Sequence, residues 1–182
     1  TTEIYTLSLH DALPIGRRYE VGEYIVHPGQ GVCKVEDVIE SPEVSYMLMP
    51  VGTSNPMRIS FPISGENRLR PVLSHDEAQE LVDEYSDLSI DDYSSASIAL
   101  EEQYYRDKIR RGTCLDSVRT VKTFRHRIDE AKANNKRPPV VYERILKQAI
   151  ERSLEELSIA LGMSKDDIVS LFESRESDVQ DN

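Results

Sequence analysis

Tryptophan is absent from the chain, cysteine occurs twice and phenylalanine three times in 182 residues. Long hydrophobic runs are missing as well. No stretch approaches the roughly 18–20 consecutive apolar residues of a membrane span, so no membrane partner is expected. Cys33 and Cys114 lie far apart, without the spacing of a metal-ligand or redox pair, which makes a cytoplasmic setting the expectation. Basic side chains are also short: 22 Lys and Arg stand against 33 Asp and Glu, a formal net charge of -11. Taken alone, that balance opposes a polyanionic partner.

The charge that is present is unevenly placed. Residues 19–85 hold 4 basic and 12 acidic side chains, and 86–103 hold five acids and no base. Residues 104–152 then carry 14 basic against 6 acidic side chains, before 153–182 returns to 2 against 8. An acidic chain thus contains one strongly basic block, and phosphates are its natural ligand.

Residues 1–18, "TTEIYTLSLHDALPIGRR", have no charged opening or small-residue cleavage site of a secretory signal and resemble translated adapter sequence. They are expected to be a disordered or foreign leader without function. From Tyr19 to Val72 the runs "YIVHP", "GVCKVEDVIE", "VSYMLMPV" and "MRISFPI" are short, rich in β-branched and aromatic residues, and separated by Pro, Gly, Ser and Asn. They predict four or five antiparallel strands in a small barrel or strongly bent sheet. "SHDE" at 74–77 is a capping box, and Ala78, Leu81, Val82 and Tyr85 continue it as an amphipathic helix that closes a domain spanning 19–85. Residues 86–97, "SDLSIDDYSSAS", read as a linker. Helical periodicity follows over segments near 97–111, 115–134, 139–161 and 165–174, with Thr113, Pro138, Pro139 and Ser164 where helices can start. The expected class is α+β: a small antiparallel barrel, then a compact all-α domain over 98–176 and an acidic tail over 177–182.

Enzyme chemistry finds no foothold. A phosphate loop needs its glycines to open a helix, whereas Gly29 and Gly31 in "HPGQG" lead into a strand with Cys33 and Val35 on one face. A turn with positive-φ glycines is the natural reading. His27 has no nucleophile beside it, and His10, His75 and His126 fall in unrelated segments. Cys33 is expected inside the barrel and Cys114 half-buried at a helix start. Asp91/Asp92 and Asp166/Asp167 lack the alternating spacing of a calcium loop and are expected as helix caps. No enzyme activity, cofactor or metal is expected.

The basic block holds up better. In "LDSVRTVKTFRHRIDEAK", Val118, Val121, Phe124 and Ile128 recur at helical spacing, while Arg119, Lys122 and His126 stack on another face beside Arg125 and Arg127. "YYRDKIRR" adds Arg106, Lys108, Arg110 and Arg111, and "NNKRPP" adds Lys136 and Arg137. The candidate DNA-binding set is therefore Arg106, Arg110, Arg111, Arg119, Lys122, Arg125, His126, Lys136 and Arg137, with Arg119 and Lys122 expected exposed. A solvated helix face, laced with ion pairs, is the alternative.

"YEVGEYIVHPGQGVCKVEDVIE", "YMLMPV", "MRISFPI" and "NRLRPVLS" resemble the amino-terminal module of the CarD/CdnL transcription regulators, which is shared with the transcription-repair coupling factor. The helical remainder is similar to the carboxy-terminal domain of the same family, matched more by pattern than by residue. The resemblance covers about Tyr19 to Phe172. It implies a Tudor-like barrel docking on the RNA polymerase β subunit, and a helical domain that supports the promoter open complex without base-specific reading. It further implies a polymerase contact at Met57, Arg58 and Ser60. The wedging tryptophan of many relatives is missing, and Ile98, Leu100 or Tyr104 stands in its place. The expected partners are the polymerase β subunit and promoter DNA, with a monomeric chain. An adaptor that binds polymerase or another protein without touching DNA is the alternative.

Overall fold

The computed structural model describes residues 17–180, with side chains to residue 175. The expectations for the leader, apart from Arg17 and Arg18, lie outside the described residues, as do those for the last two residues of the tail. Strands β1 (Tyr24–His27), β2 (Gly31–Ile39), β3 (Ser45–Pro50), β4 (Ile59–Pro62) and β5 (Arg70–Pro71) pair antiparallel in the order β4-β3-β2-β1-β5. Each expected strand run supplies a strand. Alternation places Cys33 and Val35 of β2, Tyr46 and Leu48 of β3, and Phe61 of β4 in one apolar cluster with Tyr19, Ile25 and Leu69. Among the described residues the edge strands β4 and β5 do not pair with each other. The expected barrel is therefore, in its hydrogen bonding, an open sheet.

Five helices follow: α1 (His75–Asp83), α2 (Ile98–Arg111), α3 (Cys114–Ala133), α4 (Val140–Leu161) and α5 (Lys165–Gln180). Their starts are those the sequence offers. Ser74 and Glu77 close a capping box on α1, Thr113 and Asp116 close another on α3, and Pro139 precedes α4. Ser164 Oγ accepts the Asp167 amide at 3.1 Å and donates to the Asp167 carboxylate at 2.7 Å, so Ser164 caps α5 with Asp167 in its first turn. Gly162 ends α4 at φ +64, the left-handed conformation that glycine adopts without a Cβ clash.

Helix α4 is the hub. Its Val141, Ile145 and Ala149 pack with Tyr105, Ile109, Val121 and Phe124 of α2 and α3. Its Leu157 and Leu161 pack with Cys114 and Val118 of α3, Ile168 of α5, and Ala78, Leu81 and Val82 of α1. Helix α1 thus buries its apolar face in the helical layer, where sequence reading placed it with the sheet. The segment expected as a linker is also fastened. The Asp91 amide donates to Thr123 Oγ1 at 2.9 Å, and Tyr105 OH donates to the Tyr93 carbonyl at 2.9 Å.

Helix α3 departs most from expectation. Thr120 and Thr123, polar in type, are fully buried, and their hydroxyls donate to the carbonyls four residues back, of Asp116 and Arg119, at 2.7 Å each. A helix flanked by α2 and α4 on one side and by the end of α1 on another has little surface left for a cationic face.

Candidate functional site

The glycine turn is the joint between sheet and helices. His27 Nδ1 accepts the amides of Gly29 and Gln30 at 3.0 and 3.2 Å, so the imidazole braces its own turn and, when neutral, carries its proton on Nε2. Burial first, and then Arg152, Arg68 and Arg110, hold its pKa below the ordinary histidine value. Gly31 has φ +82, a left-handed conformation that favours glycine, and the side-chain ends of Glu155 and Arg152 close over it. Gly29 lacks the positive φ expected of it.

Charges on one turn of α4, together with Arg70 of β5, fasten this joint. Arg152 Nη2 donates to the His27 carbonyl at 2.9 Å, and Glu155 Oε2 accepts the Val32 amide at 3.1 Å. Arg70 grips Glu156 with both guanidinium nitrogens, at 2.6 and 2.7 Å, while its Nε reaches the Gly112 carbonyl at 3.2 Å. Glu156 also accepts the Leu73 amide at 3.2 Å, and its side chain is 2% exposed. Burial raises the Glu155 carboxyl above the usual range, against the pull of the Val32 amide, Lys165 and Arg152. It also pushes the Cys33 thiol up to about 12 and raises that of Cys114. Burial keeps both thiols in the protonated form, and Cys114 is fully buried where half-burial was expected. Arg70, Arg152, Glu155 and Glu156 escaped sequence reading. The one available signal was a pair of acids inside the apolar stretch "SLEELSIAL".

The expected polymerase-contact residues sit together. Strand β4 is an edge: one side pairs with β3, and the other meets no strand among the described residues. Met57 and Arg58 lead into it, 80% exposed and with a side chain 66% exposed, and Ser60 lies exposed within it. Arg58 Nε reaches Glu36 at 2.9 Å, at the point where the register of β2 on β3 slips between Val35 and Asp37. The slip puts Glu36 within reach of Arg58.

The candidate DNA-binding residues divide. On α2, Arg106, Arg110 and Arg111 are exposed, with Arg106 held by Glu102 at 2.8 Å. His126, Lys136 and Arg137 are exposed on and beyond the far half of α3. Since α2 and α3 form a hairpin joined at Gly112, and Arg127 binds Glu101 at 2.7 Å, that half lies beside the start of α2. Ile98, Leu100 and Tyr104, the expected groove-wedging residues, are exposed along that start, and Tyr104 stacks on Tyr93 with ring centroids 3.8 Å apart.

Arg119, Lys122 and Arg125 are not the open face expected of them. All three are half-buried. Lys122 Nζ donates to the carbonyls of Tyr85 and Ser86 at 2.9 and 2.7 Å, satisfying the short turn that follows α1. Arg119 keeps a buried Nε without a hydrogen bond. The reason is the packing of α1 and the turn after it against α3. Lys122→Met should therefore lower stability by about 1–3 kcal/mol through the stranded carbonyls, read as a lower urea midpoint with an unchanged slope; an unchanged midpoint would refute the internal role.

Two further basic residues are internal. Arg127 also donates to the Tyr93 carbonyl at 2.6 Å, and Lys108 pairs with Asp91. Burial resists ionisation of Asp91, but the hydrogen bonds from Lys108 and the Tyr93 amide outweigh it and hold its carboxyl below the usual range. Asp91 thus ties the 86–97 segment to α2 and caps no helix. Among the described residues no group of three or more His, Cys, Asp and Glu is placed to hold a metal ion, and no helix is long and apolar enough to cross a membrane.

Residues 19–73 match the family model described as CarD-like/TRCF RID domain, an RNA polymerase-interacting module. The match covers β1 to β5 and ends just before α1. No curated protein matches the chain.

Proposed function

We propose that the chain bridges RNA polymerase and promoter DNA. The sheet module binds the polymerase β subunit along the free edge of β4, through Met57, Arg58 and Ser60, and the helical layer holds duplex DNA through phosphates to support the open complex. The observation that carries this reading is the match of residues 19–73 to a polymerase-interacting module whose edge strand β4, among the described residues, pairs on one side only. An exposed edge presents free amides and carbonyls, and an arginine beside them adds charge selectivity. The same reading takes the five strands as a Tudor-like fold, supported by the match over residues 19–73 and by the apolar cluster gathered on one face of the sheet.

For the DNA half, the support is the pairing of exposed apolar side chains with cations at one end of the helical layer. Ile98, Leu100 and Tyr104 can press into a minor groove while His126, Lys136 and Arg137 approach phosphates, an arrangement that bends or unstacks duplex without reading bases. Nothing in this arrangement performs covalent chemistry.

The test is a photo-crosslinking side chain at position 104 of the full-length chain, assembled with polymerase and promoter. Crosslinks to DNA at the upstream edge of the melted region are expected. Crosslinks to protein alone would overturn the DNA half and leave an adaptor. The full chain is used because α1 is buried in the helical layer, so a fragment ending at residue 85 would expose Leu81 and Val82.

A further inference from the structure

Between the sheet and the C-terminal end of α2 runs a groove of about 640 Å³, walled by Phe61 and Arg68 from the sheet side and by Arg110 and Arg111 from α2, with His27 beside Gly29 at its base. No carboxylate lines it. The neighbouring hollow on the other side of the turn shares Gly29 and Arg110 but includes Glu151 and Glu155. Arg68 lies over the Phe61 ring with its Cζ 5.1 Å from the centroid, and that ring stands edge-on to His27 at 5.3 Å. The His27 turn bonds occupy Nδ1, so the Nε2 proton remains to be donated. Among the described residues, Arg70 alone of the arginines here is committed to a carboxylate, that of Glu156.

We infer that this groove binds backbone phosphates of duplex nucleic acid, clamping them between Arg68 of the sheet module and Arg110 and Arg111 of α2, with His27 Nε2 as a further donor. The inference rests on the proposed contact with DNA and extends it to a surface on the sheet module. Phosphate is favoured over a carboxylate-bearing peptide because the groove continues a line already assigned to DNA. Along α2, Arg110 shares a face with Arg106, four residues back, and Arg111 shares one with Tyr104, seven residues back. The 14 residues of α2 span about 20 Å at 1.5 Å each, the axial length of about six base pairs. A duplex seated on the apolar end of α2 therefore passes the groove about half a helical turn away. An acidic module that would otherwise repel DNA gains a local point of attachment, since guanidinium forks match phosphate oxygens in pairs.

The full chain, wild type and Arg68→Gln/Arg111→Gln, should be titrated with a 20-base-pair duplex by fluorescence anisotropy at several KCl concentrations. Each phosphate contact contributes about 0.9 to the log–log salt slope, so the double variant should show a slope shallower by about two units. In the wild type, the His27 ring resonances should shift on adding duplex and stay in place on adding poly-aspartate. Equal slopes, absence of duplex binding by either protein, or a His27 shift with poly-aspartate alone would each overturn the groove assignment. Crosslinking at position 104 within the polymerase complex decides the wider reading separately.

Discussion

Replacing Arg70 by methionine is expected to lower folding stability by about 3–5 kcal/mol, because it leaves a buried carboxylate without its cation. Glu156 is 2% exposed, and its other partner is the Leu73 amide. Arg70 supplies both of its hydrogen bonds to Glu156, at 2.6 and 2.7 Å, and Arg152, the other cation acting on this carboxylate, is already bonded to the His27 carbonyl. The Gly112 carbonyl would lose its donor at the same time. The check is a two-state urea titration of both proteins, with hydrogen exchange at β1 and at the middle of α4 as the local readout. The double variant Arg70→Met/Glu156→Leu should recover most of the loss, since a buried ion pair and a well-packed apolar pair are often close in free energy. Recovery separates an uncompensated charge from a simple packing defect. A single variant as stable as wild type would show that the pair does not fasten the joint.

Arg58→Glu is expected to weaken binding to the polymerase β subunit by about thirtyfold or more. Reversing a charge at a complementary interface costs at least about 2 kcal/mol through the mispaired partner. The fold should be untouched, because the Arg58 side chain is 66% exposed and its one ion pair, with Glu36, is a surface contact worth about 1 kcal/mol at most. Arg58→Ala should fall between the two, and Met57→Ala should cost less than the reversal. Surface-immobilised β-subunit fragments and the full-length chain suffice for the measurement. Unchanged affinity for Arg58→Glu would move the docking surface off the β4 edge.

Much of the fold was legible in the residues because it rests on short-range rules. Alternation in "GVCKVEDVIE" places Cys33 and Val35 inside whatever else the chain does, and a Ser or Thr three residues before an acid starts a helix by local hydrogen bonding, as at Ser74 and Thr113. The module over residues 19–73 was readable for the same reason, since its turn and strand residues are nearly contiguous. The basic block was read less well. Fourteen basic residues between 104 and 152 announced a cationic face, yet Lys108, Lys122, Arg127 and Arg152 are spent on Asp91, on the short turn after α1, on Glu101 and Tyr93, and on the glycine turn. Charge along a chain records how many cations there are, and only packing says which of them face water.

The opening turn "HPGQG" shows the same division. From sequence it was a turn and no phosphate loop, because a strand follows it, and that much local backbone chemistry determined. That its glycine admits Glu155 and that its carbonyl takes Arg152 depend on residues more than 100 positions away, and that its histidine borders an acid-free groove depends on Arg110 and Arg111, more than 80 away. Contacts at that separation are set by how α4 lies across the sheet, which no periodicity encodes. The residues by themselves determined the strand runs, the caps, the helix starts and the module over residues 19–73; the tertiary structure decided which charges became the joint and which stayed exposed, because only packing sets their burial.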